Sequence, residues 1–140
     1  MATRELFEHT ADVGLRVRAE DLDALFRSAA EGLFEVIVAN LEDVRGEDPE
    51  RVTLEADGPA ELLVLWLNEL IFRCETRHRL YSRFDVRVAA DGRSLAAEVA
   101  GEPIDRDRHV LDHEVKAATR HNLVTERGPD GWSAEVILDI

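Results

Sequence analysis

Residues 13–20, VGLRVRAE, alternate apolar Val13, Leu15, Val17 and Ala19 with Gly14, Arg16 and Arg18. That two-residue period predicts a strand with one face buried. The ten residues before it are strand-like too. After Asp21, which suits a helix N-cap, the period changes. Leu22, Leu25, Phe26, Ala29, Leu33, Phe34 and Ile37 recur three and four apart, the mark of an amphipathic helix ending near Asn40. An acidic loop through Pro49 follows. RVTLEA at 51–56 predicts a short strand, DGP breaks it, and Pro59 suits a first helical position. Leu62, Leu63, Trp66, Leu67, Leu70, Ile71 and Cys74 then predict a second, more apolar helix ending around Arg77.

Strand patterns dominate the remainder. Phe84, Val86 and Val88 alternate with charged partners, and the turn pair Asp91–Gly92 leads into Leu95, Ala97 and Val99, a hairpin signal. EPIDRDRHVLD reads as a polar loop, HEVKAATRHNLVTE as a strand, RGPDG as a turn and WSAEVILDI as a last strand. Two helices and about seven strands, mostly joined by hairpins, argue against a βαβ-alternating parallel fold. They predict an α+β class: one domain over residues 1–140, with an antiparallel or mixed sheet covered by two amphipathic helices.

The 140 residues, 45% of them hydrophobic, suffice for a core without staples. The opening MATRELFEHT has no basic region followed by an apolar stretch, so no signal peptide is expected, and no apolar run approaches the ~20 residues of a membrane span. The single cysteine, Cys74, excludes an internal disulfide and fits a reducing cytoplasm. A net charge of -13 opposes direct contact with nucleic acid, which rests on neutralising phosphates; any work on RNA is expected to pass through a protein partner. The same charge also serves solubility alone. Of the 17 basic residues only Lys116 is a lysine, either by chance or because a compact ammonium is needed where a planar guanidinium will not serve.

Four constellations bear on chemistry. EHTADVG, at 8–14, lies between two strands; Thr10 and Asp12 suit a turn, and Gly14 allows a close approach. The plain reading is a tight hairpin in which Asp12 accepts backbone hydrogen bonds. At the other end, Asp139 and the carboxylate of Ile140 put two negative groups on adjacent residues of a strand. Ordering both is costly unless a cation lies between them. All-oxygen donors favour calcium, magnesium or manganese over structural zinc. His109 and His113 are four apart, but in a loop-to-strand region where that spacing does not build a shared metal site. No GxSxG, phosphate-binding glycine loop, HExxH or CxxC is present, so no catalytic residue is assigned.

EHTADVG, LLVLWLNELIF on the second helix, EVKAAT in the late strand and the closing ILDI, in this order, resemble the archease family along the whole chain. The resemblance implies a small acidic cytoplasmic protein, not itself an enzyme. Such a protein assists the GTP-dependent tRNA-splicing ligase by promoting guanylylation of the ligase's histidine and multiple turnover. It further implies a divalent ion, calcium first, held by Asp12, Asp139 and the carboxylate of Ile140, and a functional role for Lys116. Arg120 departs from the pattern, since an aromatic residue is expected after EVKAAT. Two other readings compete: a chaperone-like binding module, whose sign is an exposed apolar patch, and a metal-dependent hydrolase using Asp12 and Asp139, which needs a general base besides.

Overall fold

A computed structural model describes residues 2–9 and 12–140, the side chains of Glu8 and His9 excepted. Among these residues the order is β1 (Thr3–His9), β2 (Asp12–Ala19), α1 (Leu22–Ile37), a 3₁₀ turn (Leu41–Asp43), β3 (Glu47–Glu55), α2 (Pro59–Arg77), β4 (Arg79–Val88), β5 (Ser94–Pro103), β6 (Ala117–Gly128) and β7 (Gly131–Asp139). The strands form two sheets, ordered β1-β2-β7-β6 and β3-β5-β4, with antiparallel pairing throughout. The expected α+β class is what is found.

The helix starts follow from their caps. Asp21 accepts the Ala24 N–H at 2.8 Å, and Pro59 occupies the first turn of α2, where a missing N–H costs nothing. Both helices touch both sheets, α1 mainly β4 and β2, α2 mainly β6. They therefore bury more than one stripe each, and the buried side chains of both sheets join one cluster. Its aromatic centre comes from α1, α2 and β4. Phe34 lies 5.7 Å from Tyr81 and 5.8 Å from Phe84, and Trp66 packs edge-on against Phe84 while its indole N–H donates to the Phe26 carbonyl.

Three boundaries differ from expectation. β3 begins four residues early, inside the acidic loop, because a bulge with Asp48 at φ 47° lets Glu47 pair with Gly101 across Pro49. β4 follows α2 with no loop, since His78 takes the left-handed conformation (φ 53°) and turns the chain at once. β6 begins at Ala117 rather than His113. The chain just before it is drawn to the end of α1 instead: the N–H groups of Asp112 and His113 donate to the Ile37 and Val36 carbonyls.

Candidate functional site

β2, β7 and β6 lie side by side in the first sheet, and their register decides the site. Asp12, the first residue of β2, is directly opposite Asp139 on β7, and Asp139 is directly opposite Ala117 on β6. The next backbone bond runs from the Lys116 N–H to the Asp139 carbonyl at 2.8 Å. Asp12, Asp139 and Lys116 are thus gathered at one end of three adjacent strands, although 127 positions separate the two aspartates. Directly opposed residues share a face of the sheet and have Cβ atoms about 5 Å apart. Like charges so placed repel, and a cation between them removes the repulsion.

Exposure grades across this row. Asp12 is half-buried, Asp139 and Lys116 are exposed, and Ile140 is half-buried with its side chain packed against the core. That packing fixes the backbone of Ile140 next to Asp139. Among the described residues Lys116 has no ion-pair partner, so its ammonium is available to an incoming group.

The face that carries Asp12 is braced by Gly14, which the sequence did single out, and by Phe7 and Arg16, which it did not. Gly14 and Arg16 alternate with Asp12 onto the same face. A Cβ at Gly14 would lie 2.0 Å from the Phe7 ring, so the close approach that needs glycine here is to an aromatic side chain of β1. The Arg16 guanidinium stands 4.7 Å from the centre of that ring and reaches Glu5 at 3.1 Å and Glu135 at 2.8 Å. One arginine thereby ties β1, β2 and β7 together four positions from the aspartates; the pair of carboxylates holds its charge firmly, pushing its pKa up. A small–aromatic–cation spacing of Phe7, Gly14 and Arg16 is present in the sequence, but pairing register is needed to read it. Thr10, which suits a turn in the sequence, and Ala11 lie outside the described residues.

The segment from 104 to 116 delivers Lys116. It is stitched to the end of α1: Ala39 N–H donates to the Val110 carbonyl at 2.7 Å, Asn40 bonds both Val110 N–H and the Arg108 carbonyl, and Val38 bridges to Leu111. His109 and His113 do not meet. His109 is buried; its Nδ1 accepts the Asp105 N–H at 2.9 Å, so its ring proton sits on Nε2 and faces Glu102 at 3.0 Å. His113 is exposed beside Asp112. Glu102 also accepts the Arg45 N–H at 2.7 Å and pairs with Arg108. Burial raises its pKa, but these donors outweigh burial and hold the carboxyl below the usual range.

A divalent ion fits this end of the sheet on donor chemistry. The opposed carboxylates are oxygen donors of the kind hard cations take. Among the described residues, no three His, Cys, Asp or Glu side chains group as a metal site.

The comparisons with known proteins agree with one another. The model of the Archease protein family (MTH1598/TM1083) matches residues 5–140. The Methanopyrus kandleri protein archease is 38% identical over 138 residues, covering 97% of this chain and 98% of that one. The Pyrococcus abyssi protein archease is 34% identical, with 97% of each covered. Among solved structures, protein 1598 of Methanobacterium thermoautotrophicum superimposes with a TM-score of 0.79 at 31% identity, over 98% of each chain. The fold is shared by a Thermotoga maritima archease described as a possible chaperone, at a TM-score of 0.69, 18% identity and coverage of 99% and 98%. With the match running from β1 to the last residue, the chain belongs to the archease family.

Proposed function

We propose that this protein activates a GTP-dependent tRNA-splicing RNA ligase, promoting guanylylation of the ligase's histidine and so allowing repeated turnover, without catalysing a reaction itself. The observation that carries this reading is the row formed by Asp12, Asp139 and Lys116, residues of three of the four motifs brought to one end of one sheet in a member of this family.

Asp12, Asp139 and the Ile140 carboxylate would hold one divalent ion, calcium first, with magnesium or manganese as alternatives. Such an ion would neutralise the opposed carboxylates. The chain's own part is positional. The Phe7–Gly14–Arg16 stack fixes the strand that carries Asp12, and the Lys116–Asp139 backbone bond fixes the lysine at the same end. Lys116 offers a compact ammonium to an anionic group of the partner, such as a nucleotide phosphate. The net charge of -13 favours encounter with a basic, RNA-holding cleft and disfavours free RNA. These features accord with a cytoplasmic protein that reaches RNA through its partner.

Multiple-turnover ligation of RNA bearing 3′-phosphate and 5′-hydroxyl ends by the purified ligase, with and without this protein, is the test. Many products per ligase are expected with it and about one without it. Equal turnover in both arms refutes the reading.

A further inference from the structure

Beside the Lys116 end of the first sheet lies an open groove of about 430 Å³ that the proposed chemistry does not use. Its floor is apolar: Ile71 and Cys74 from α2, Ile104 and Leu111 from the stitched segment, and Val115, one residue before Lys116. Its rim is acidic. Three carboxylates, Glu75, Asp112 and Glu114, stand against one guanidinium, Arg106, and two imidazoles, His78 and His113. Next to Ile71 on the same helix, Phe72 leaves 59% of its surface exposed, on a helix that buries most of its large apolar side chains.

The position of Phe72 follows from how α2 lies along β6. Arg120 pairs with Glu61, and the Asn68 amide bonds both the N–H and the carbonyl of Ala118, at 2.8 and 3.0 Å, replacing a neighbouring strand at that sheet edge. Helix and strand therefore run in opposite directions, and the next turn of α2 past Asn68, which carries Ile71 and Phe72, comes level with the approach to Lys116.

We infer that this groove is a docking surface for a segment of the partner protein carrying an aliphatic side chain flanked by lysine or arginine. The aliphatic group fills the floor against Val115 and Cys74, Phe72 covers it, and the flanking cations pair with Glu75, Asp112 and Glu114. Charge complementarity selects this occupant: an acidic rim around an apolar floor rejects an acidic or phosphate-bearing ligand and, at high net negative charge, a second copy of this chain. Exposed aromatic residues beside apolar pockets carry a large share of binding energy. The inference rests on the proposed function, in which the partner is the ligase, and it gives the ligase a second contact that does not take part in guanylylation.

The test titrates ligase with wild type, Phe72→Ala and the double variant Glu75→Lys/Glu114→Lys, all changed at half-buried or exposed positions and matched in Tm. The readouts are the concentration giving half-maximal stimulation and the rate at saturation. The half-maximal concentration should rise about tenfold or more in both variants, while the saturated rate returns to that of wild type. Lys116→Ala should instead lower the saturated rate. Unchanged half-maximal concentrations overturn the inference and leave the proposed function standing. If wild type does not stimulate the ligase, the proposed function has failed, and the groove is tested separately with the acetylated hexapeptide Lys-Arg-Leu-Ile-Arg-Lys. Amide shifts at Cys74, Glu75 and Val115 that vanish in Phe72→Ala support it, and an unperturbed spectrum overturns it. Concentration-dependent dimers of wild type that Phe72→Ala abolishes also overturn it, since the occupant would then be a second copy.

Discussion

Asp12 and Asp139 face one another across a strand pair, so replacing one carboxylate by its amide isostere has a sign that depends on metal. In chelator, Asp12→Asn removes a like-charge repulsion and should leave Tm equal to or above that of wild type. With calcium, wild type should gain stability by mass action, about 2.7 kcal/mol at a hundredfold excess over Kd, and the variant should not. Thermal melts in chelator and in calcium check both arms; an equal calcium shift in Asp12→Asn would refute ligation by that residue. Extending the chain by one residue after Ile140 should remove the same calcium shift, because a strand end tolerates extension while the carboxylate moves away. Lys116→Arg keeps the charge but replaces a point ammonium by a planar fork. It should melt like wild type yet lose much of the stimulation of ligase guanylylation, and Lys116→Ala should lose more. Asp12, Asp139 and Lys116 were grouped through the resemblance of their motifs to one family, and the strand register brings them to one end of one sheet. Phe7 and Arg16 were not legible as a pair, because each looks ordinary until β1 and β2 are in register, and register is a property of two strands.

The elements that matter most for the site are the segment from 104 to 116 and the first hairpin. The stretch 102–112 read as a polar loop and 113–126 as a strand; within the segment Asp105, Arg106, Asp107, Asp112 and Glu114 do face solvent, whereas His109 is buried and Glu102 is buried in β5. What could not be read was its attachment, since hydrogen bonds from Ala39, Asn40 and the end of α1 are made by backbone groups that carry no side-chain signature. The buried pair Glu102 and His109 locks the same segment to β5. Because the folded Glu102 carboxyl is held below its unfolded value, its contribution is present above the unfolded pKa and is lost as pH falls through the folded one. Glu102→Gln should therefore be less stable than wild type at neutral pH, and the gap should close as pH drops into the acid range. Urea denaturation of both proteins from pH 7 downward checks this, and a gap that stays constant would refute it. The helices were legible almost to the residue, since Asp21 and Pro59 are local signals. β3 and β4 were not, because the bulge at Asp48 and the left-handed turn at His78 depend on non-glycine residues that tertiary pairing holds at positive φ.

As a whole molecule the protein joins two sheets through two helices that touch both, which brings the first hairpin and the last strand to one end of one sheet. The α+β class followed from counting periods; the division into two sheets did not, since strand order is set by packing that no single segment encodes. The charge of -13 acts at this scale too. Association with the ligase should weaken as salt rises, chiefly through a slower on-rate, and an on-rate independent of ionic strength would argue against charge-guided docking. The most direct test of the central claim is the number of ligation turnovers per ligase at saturating amounts of this protein, comparing wild type with Asp139→Asn in calcium. Wild type should drive many turnovers, while the folded Asp139→Asn protein should leave the ligase near one. Turnover by the variant equal to wild type, or no gain from wild type itself, would contradict the account.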